Sequence, residues 1–227
     1  MKSALLVPIL LFTLVHVQDV EFTIPSSQQH IFSNYQNSNF SQKLTFTNGL
    51  VSAAITSTNP AEMELNYRVY LQPGHVNKLP APLKNFISHT YTSNLMVGDY
   101  FKNISQFLKD ELSYSLDKIP QDTISVMATR RAHCIGYSNV VSDLLTAMGL
   151  KHRFVKGFYL KQERPGVYDP IPHRWLEIEM ADGVKFFYDP QYQNFSANYI
   201  LVKESVNFQE ILKFKVFLKK KTKKIVN

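Results

Sequence analysis

The spacing of apolar and polar residues predicts three helices between residues 99 and 149. From residue 140 the apolar positions follow the i, i+3, i+4, i+7 spacing of one buried helix face, and Gly149 ends the run as a C′ glycine. Apolar residues from 100 to 112 keep the same period, with Asp99 as the expected N-cap. Residues 122–130 form the third predicted helix, which leads into the first.

Alternation of apolar and polar residues predicts β-strands in the first half. Residues 43–47, 51–57 and 62–71 are the strand candidates, and the last of them alternates as a half-buried strand does. Residues 26–42 are rich in Ser, Gln and Asn and are predicted to form a polar loop or linker. This front β-rich region is expected to pack on the rest of the chain or to precede it, and it carries no evident chemistry.

Two later apolar runs predict a β-hairpin. Residues 173–180 and 184–189 flank an Ala-Asp-Gly sequence at 181–183, and Asp-Gly is a strong turn signal. With a three-residue loop and its glycine in the left-handed conformation, one face of the hairpin is wholly apolar. The other face then holds His173 and Asp189 one diagonal step apart, whereas a loop one residue shorter sends them to opposite faces.

The only cysteine, Cys134, lies at or just before the first turn of the helix that Gly149 ends. Free backbone N–H groups and the positive end of the helix dipole favour a thiolate at that position. Together with His173 and Asp189, Cys134 provides the parts of a thiol nucleophile, its base and the group that orients the base. The alternative is that Cys134 is a small buried hydrophobe.

These parts stand in an order that resembles the transglutaminase-like core of papain-type cysteine enzymes. The resemblance covers about residues 101–192 and rests on Cys134 followed by Gly-Tyr-Ser, Met148-Gly149-Leu150, the strand at 153–158, His173-x-Trp175 and Asp189-Pro190. It implies an α+β fold in which a cysteine helix packs on an antiparallel sheet, with an N-terminal β-rich region. It also implies that Cys134 is the nucleophile, His173 the base and Asp189 the orienter.

The oxyanion hole of such a site needs two hydrogen-bond donors. The amide of Cys134 at the helix start is a natural donor. Animal transglutaminases take the second donor from a tryptophan upstream of the cysteine, but here the only tryptophan is Trp175. Tyr114 is the candidate substitute. Trp175 shares a face with His173 and is a candidate shield for the imidazole, or a residue of sheet packing.

Five charged or titratable neighbours have both a functional and an ordinary interpretation. His133 competes for the role of base, but adjacent residues on a helix do not face each other, so local support is the preferred interpretation. Glu177 and Glu179 are predicted to be solvent-side strand residues. Arg130 and Arg131 either steer an acidic substrate or lie on a solvated helix end.

The predicted function is thiol-dependent acyl transfer to an amine, or hydrolysis, on a protein or peptide amide. The first alternative is a catalytically inactive transglutaminase-fold module that binds protein or glycan through its front β-rich region. A lesser alternative is an arylamine N-acetyltransferase-like enzyme, although the Arg-Gly-Gly lead of that family is replaced here by Arg131-Ala132-His133.

The composition of the chain limits the number of domains and the kinds of site that it can form. The chain of 227 residues is 44% hydrophobic and 13% aromatic, which indicates a packed globule of one domain, or one and a half. One cysteine excludes an internal disulfide and a cysteine-cluster zinc site, and the seven histidines lack metal-site spacing, so neither metal nor cofactor is expected. The net charge of +7 comes from seven lysines after residue 212, a pattern typical of a solvated end rather than of nucleic-acid binding.

The chain divides into four predicted segments. Residues 1–18 have the short basic head and apolar stretch of a secretory signal peptide, and the alternative is a buried first strand that continues through residues 20–24. Residues 19–95 are the β-rich region, 96–200 the catalytic core and 201–227 a segment with the lysine-rich tail. The protein is therefore expected to be secreted or extracytoplasmic, with no membrane span after removal of the signal.

Overall fold

The computed structural model describes residues 15–60, 63, 65–193, 195–204 and 214–218. Its helices are α1 (Pro73–Val76), α2 (Ala81–Thr90), α3 (Val97–Glu111), α4 (Thr123–Thr129) and α5 (Cys134–Ala147), with a 3-10 helix at Ser26–Ile31. Its strands are β1 (Val15–Thr23), β2 (Tyr35–Gln36), β3 (Phe40–Thr47), β4 (Leu50–Thr58), β5 (Ser113–Tyr114), β6 (Arg131–Ala132), β7 (Lys151–Arg164), β8 (Val167–Glu179), β9 (Lys185–Tyr188), β10 (Tyr199–Leu201) and β11 (Val216–Leu218). None of the described helices is both long and apolar enough to cross a membrane.

The front strands and the later hairpin belong to one antiparallel sheet. Its strand order is β10-β7-β8-β11-β1-β4-β3-β2, with β9 paired to β8 beside this path. The short strand β11 joins the two regions, because it pairs with β8 through Tyr168 and with β1 through Val20. This arrangement is the α+β fold, with a cysteine helix on an antiparallel sheet, that the sequence pattern and resemblance predicted.

Each face of the sheet has its own hydrophobic core. The helices cover one face, where the buried side chains include Tyr100, Leu144, Leu176, Ile178 and Phe186. The other face is enclosed because the sheet curls back on itself, and its core includes residues of the front strands and of the hairpin, among them Phe22, Phe40, Ile55, Trp175, Phe187 and Tyr199. The hairpin strands β8 and β9 contribute to both cores and so connect them.

Two buried side-chain amides close the curled sheet. The carboxamide of Asn39 accepts from the Phe187 N–H at 2.8 Å and donates to its carbonyl at 3.0 Å. Gln42 does the same at Leu201, at 2.8 and 3.1 Å. Each amide replaces a missing backbone partner, since a buried strand edge needs its polar groups satisfied. The prediction of a polar loop over 26–42 is therefore wrong at its end, where β3 enters the core.

The hairpin has the register that the hydrophobic pattern selected. Leu176 pairs with Tyr188, Glu177 with Phe187, and the turn glycine, Gly183, has a φ of 85°. The prediction of a three-residue loop is thus confirmed. In this register the odd-numbered side chains of β8, His173 among them, lie on the same face as the odd-numbered side chains of β9. Asp189, which directly follows β9, continues that face.

One predicted strand is wrong over the residues that are described. Within 65–71 the chain forms only an isolated bridge, between Arg68 and Met96. Its backbone bonds instead to the approach of α3: the Val69 N–H donates to the Leu95 carbonyl at 3.1 Å. Alternating burial there comes from packing beside a helix start, which gives the same sequence pattern as a half-buried strand.

The predicted helix ends differ in detail from the observed ones. Asp122 caps α4, because its carboxylate accepts from the Ser125 N–H at 3.0 Å, and Arg130 ends that helix in the left-handed conformation. The N-cap of α3 is Met96 rather than Asp99, so that part of the prediction is wrong. Asp99 lies in the first turn, where its charge still favours the helix dipole.

The amino-terminal prediction is tested only over its last residues. Residues 15–18 are part of β1, which pairs with β4 along its whole length, and residues 1–14 lie outside the described part of the chain. The secretory signal at 1–18 stays a prediction. Cleavage after residue 18 removes the first four residues of β1.

Candidate active site

Cys134 is the first residue of α5 and is partly exposed. The side chain of His133 caps the helix, with its Nδ1 accepting from the Ile135 N–H at 3.3 Å. The N–H groups of the first helical residues have no acceptor within the helix, so the amide of Cys134 is oriented as a donor beside its own sulfur. This is the position that the sequence pattern predicted for a nucleophile.

Gly136 is required by close packing at the start of α5. A Cβ at this position would lie 2.5 Å from Oε1 of Gln121 and 2.8 Å from a methyl group of Val126. The same Gln121 oxygen accepts from the His133 N–H at 3.0 Å. The glycine therefore lets the segment before α4 hold the helix start in place.

His173 and Asp189 meet at the end of the hairpin. The Nε2 atom of His173 lies 2.6 Å from Oδ2 of Asp189, and the two side chains are 4% and 0% exposed. The hydroxyl of Tyr199 donates to the same carboxylate oxygen at 2.6 Å, and the Gln191 N–H donates to Oδ1 at 2.9 Å. Asp189 is thus held from both sides.

Cys134 is a neighbour of His173, since its hydrogen bond and charge contribute to the pKa of the imidazole. Because Nε2 is engaged by Asp189, Nδ1 is the ring nitrogen left for a further partner. Burial by itself lowers the pKa of His173, but the charge and hydrogen bond of Asp189, with smaller contributions from the hydrogen bond and charge of Cys134, raise it to about 9. The raised pKa favours the imidazolium form of His173 near neutral pH.

Trp175 is fully buried and packs against the imidazole. The rings of His173 and Trp175 are 6.2 Å apart and inclined by 26°. Gly157 on the neighbouring strand makes room, since a Cβ there would lie 2.4 Å from the indole ring. This position fits a shield for His173, and a buried indole has no surface to offer a substrate.

Tyr114 lies on the rim of the site. It is 56% exposed at the end of β5 and pairs in register with Ala132, two residues before Cys134. Tyr192 is a neighbour of this site: its pKa is raised to about 12, first by burial and then by the charges of Tyr159, Asp189, Tyr114 and Cys134. Tyr114 as second oxyanion donor stays a prediction. Tyr192 and Tyr199 were missed by the sequence analysis, since neither belongs to a periodic segment or a motif.

His133 has a different role from His173. Its Nδ1 lies 4.0 Å from the Cys134 sulfur but is occupied as the helix cap. Burial, and then the charge of Arg174, lower the pKa of His133. This agrees with local support. Arg130 and Arg131 form ion pairs with Glu111 at 3.4 Å and Asp117 at 2.6 Å, and both are exposed.

The prediction that Glu177 faces solvent is wrong. Its side chain is 3% exposed and accepts from Arg153 Nε at 2.7 Å, from Asn37 Nδ2 at 3.2 Å and from the hydroxyl of Tyr35. The residues that cover it come from β2 and from the turn that follows it, which the sequence analysis had placed in a loop. Glu179 keeps partial exposure and pairs with Lys185 at 3.1 Å.

Among the described residues, no group of three or more His, Cys, Asp or Glu side chains is arranged to hold a metal ion.

Comparison with known proteins gives a family match over part of the chain. Residues 85–193 match the family model described as the transglutaminase-like superfamily. Among solved structures, the chain is similar to a provisionally assigned cysteine protease from Cytophaga hutchinsonii, with 11% identity, a TM-score of 0.44 and coverage of 90% of this chain and 85% of that one. It is also similar to the periplasmic domain of TgpA from Pseudomonas aeruginosa, with 12% identity, a TM-score of 0.42 and coverage of 80% and 89%. None of the proteins with curated functions matches the chain.

Proposed function

We propose that the protein uses residues 85–193, which match the transglutaminase-like superfamily model, for thiol-dependent acyl transfer or hydrolysis on protein or peptide amides. Cys134 is the nucleophile, His173 the base and Asp189 the orienter. The observation that carries the proposal is the buried pair of His173 and Asp189, 2.6 Å apart, beside a partly exposed sulfur at a helix start. A structural cysteine has no need of such a pair.

The first half of the reaction forms a thioester. The Cys134 thiolate attacks the amide carbonyl carbon, and the resulting oxyanion is stabilised by the Cys134 N–H. The C–N bond then breaks as the imidazolium of His173 gives its Nδ1 proton to the leaving amine. Ammonia or an amine departs, and the acyl group remains on the sulfur.

The second half returns the enzyme to its starting state. His173, now neutral, takes a proton from water or from an acceptor amine as that molecule attacks the thioester, and the sulfur leaves as thiolate. Asp189 keeps Nε2 protonated throughout, so that Nδ1 is always the nitrogen that exchanges the proton. Water gives a hydrolase and an amine gives a transferase, depending on how far the site excludes water.

The proposal also assigns the second oxyanion donor, the substrate and the cellular location. Tyr114 is the second donor, supported by its exposed position on the rim and its pairing with Ala132. The substrate is a protein or peptide that reaches the Tyr114 and Tyr192 side of the site. An extracytoplasmic location is supported by the basic head and apolar stretch at the amino terminus.

Alkylation of the single cysteine tests the proposal. We expect Cys134 to react with iodoacetamide at pH 7 far faster than the cysteine of an unstructured peptide, since a thiolate is the reactive form. His173→Ala should remove most of this excess. His152→Ala is the matched control, because His152 bonds to Ser142 at 2.7 Å on the far part of α5.

A direct assay separates the two acyl acceptors. Release of ammonia from a glutamine peptide is measured with and without an added primary amine, with Cys134→Ala as the blank.

The alkylation experiment also has an outcome that contradicts the enzyme. If the wild-type thiol reacts with iodoacetamide no faster than the cysteine of an unstructured peptide, and His173→Ala does not change its rate, the inactive binding module is favoured.

A further inference from the structure

Arg174 lies between His173 and Trp175 on β8, and its side chain projects from the opposite face of the strand. Its Nη2 donates to the Ile135 carbonyl and to Oδ1 of Asn139, both at 2.6 Å. Both acceptors belong to the first two turns of α5. The strand that carries the candidate base is therefore tied by its next residue to the helix turn that carries the candidate nucleophile.

The guanidinium of Arg174 is partly buried among neutral groups. Its central carbon lies 4.2 Å from the centre of the Phe154 ring. Its Nε is buried without a hydrogen-bond partner among the described residues. Within the same part of the chain, no aspartate or glutamate forms an ion pair with Arg174. A cation placed in this way is costly unless an anion faces it.

The candidate for that anion is the sulfur of Cys134, the residue next to Ile135, whose carbonyl Arg174 binds. Burial lowers the pKa of Arg174, whereas the charge of Cys134 raises it, which means that guanidinium and thiolate attract each other. The neighbouring His133 is repelled by the same cation: burial, and then the charge of Arg174, lower the pKa of His133. The positive charge of Arg174 therefore reaches both residues at the start of α5.

We propose that Arg174 is a positioning residue which holds the first turn of α5 on β8 and supplies the positive charge that faces the Cys134 thiolate. The inference rests on the proposed function in one respect, namely that the thiolate is the working form of Cys134. His173 provides the exchangeable proton, whereas Arg174 provides a charge that persists when His173 becomes neutral, as it does while the thioester is present.

The test compares an anionic with a neutral alkylating reagent. Iodoacetate and iodoacetamide attack the same sulfur, so the ratio of their rate constants reports the local charge and not the reactivity of the thiol. In low salt we expect Arg174→Gln to lower this ratio about 3- to 10-fold, and Arg174→Lys to keep most of it. Arg153→Gln is the matched control, because Arg153 is paired with Glu177 and should leave the ratio unchanged.

Two outcomes overturn the inference, and both differ from failure of the proposed function. An unchanged ratio in folded Arg174→Gln shows that its charge does not face the sulfur. If that variant does not fold, the ratio of the two rate constants is measured in His173→Ala, where Arg174 remains. A ratio no higher than that of an unstructured cysteine peptide also overturns the inference. Failure of the proposed function appears instead as a slow wild-type thiol with both reagents.

Discussion

Two carboxylates are buried on one face of the same hairpin, and they are held in similar ways. Asp189 and Glu177 are 0% and 3% exposed. Each accepts a hydrogen bond from a tyrosine hydroxyl, and each is paired with a basic side chain. The two clusters differ in the basic partner, which is a histidine at Asp189 and an arginine at Glu177.

The partner decides what each cluster is able to do. An arginine stays charged at every pH at which a protein is folded, so Arg153 on β7 gives Glu177 on β8 a partner that does not titrate. Tyr35 and Asn37, which also bond to Glu177, connect this pair to the front β-rich region. A histidine exchanges its proton near neutral pH, so the pair of His173 and Asp189 can take part in proton transfer. Burial and a tyrosine hydroxyl therefore do not mark a catalytic site by themselves; a titratable partner beside a nucleophile does.

The largest expected difference between the clusters is in activity. Asp189→Asn keeps the shape of the side chain but lets His173 take the wrong tautomer, so kcat for acyl transfer should fall by about 10³- to 10⁴-fold. Glu177→Gln is the isosteric change in the other cluster and should alter kcat by less than about threefold. Ammonia release from a glutamine peptide, at a temperature at which both variants are folded, measures the two.

One result would contradict the different roles assigned to the two clusters. Equal losses of kcat in folded Asp189→Asn and Glu177→Gln would show that both carboxylates only support the fold, and the assignment of Asp189 as orienter would be withdrawn.

The next effect is the pH dependence of stability. The pKa of His173 is about 9 in the folded protein against 6.5 for an ordinary histidine. Folding therefore binds a proton, and the stabilisation is complete below pH 6.5 and is lost as the pH rises through 9. The two values give up to about 3 kcal/mol for this group. The measurement is urea unfolding of wild type and of His173→Gln from pH 6 to 9.5, which gives the difference in their free energies of unfolding at each pH.

Variants of the two clusters sharpen this measurement. Asp189→Asn should flatten the slope, because the charge of Asp189 is a main reason for the raised pKa of His173. Glu177→Gln should keep the wild-type slope, since Arg153 does not titrate in this range. A steeper slope in Glu177→Gln than in wild type would mean that the clusters are coupled.

A smaller effect is expected for the stability contributed by Glu177. Glu177→Gln removes the buried partner of Arg153, which is itself 44% exposed and also lies 3.8 Å from Glu204. The free energy of unfolding should therefore fall by about 2 kcal/mol. Glu179→Gln is the matched control on the same strand, and its partly exposed, solvent-screened pair with Lys185 should contribute much less. Equal effects of the two changes, measured in urea at pH 7, would remove the structural role assigned to Glu177.

Sequence alone was sufficient where the relevant signal is local. The Asp-Gly turn and the apolar face of the hairpin lie within a short segment, so they determined the register that brings His173 and Asp189 to one face. The burial of Glu177 depends on Tyr35, which is 142 residues away in the chain. No period or turn within a window of residues carries that information.

The same contrast explains the other differences between prediction and structure. Gln42 lies in a polar stretch, and only the curl of the whole sheet places it against Leu201. The segment at 65–71 shows the reverse error, because alternation was present but no strand partner was. A periodic pattern reports which side chains are buried; the partner that buries them is a property of the assembled fold.

The smallest expected effects are those of the two tyrosine hydroxyls. Tyr199→Phe removes one donor from Asp189 and should lower kcat about 5- to 10-fold, because the carboxylate then orients His173 less firmly, at a stability loss of about 1 kcal/mol. Tyr35→Phe removes the corresponding donor from Glu177 and should cost a similar stability with kcat unchanged. Parallel measurement of kcat and urea unfolding for both variants is decisive, since a drop in kcat for Tyr35→Phe as large as that for Tyr199→Phe would assign both losses to weakened packing of the shared hairpin.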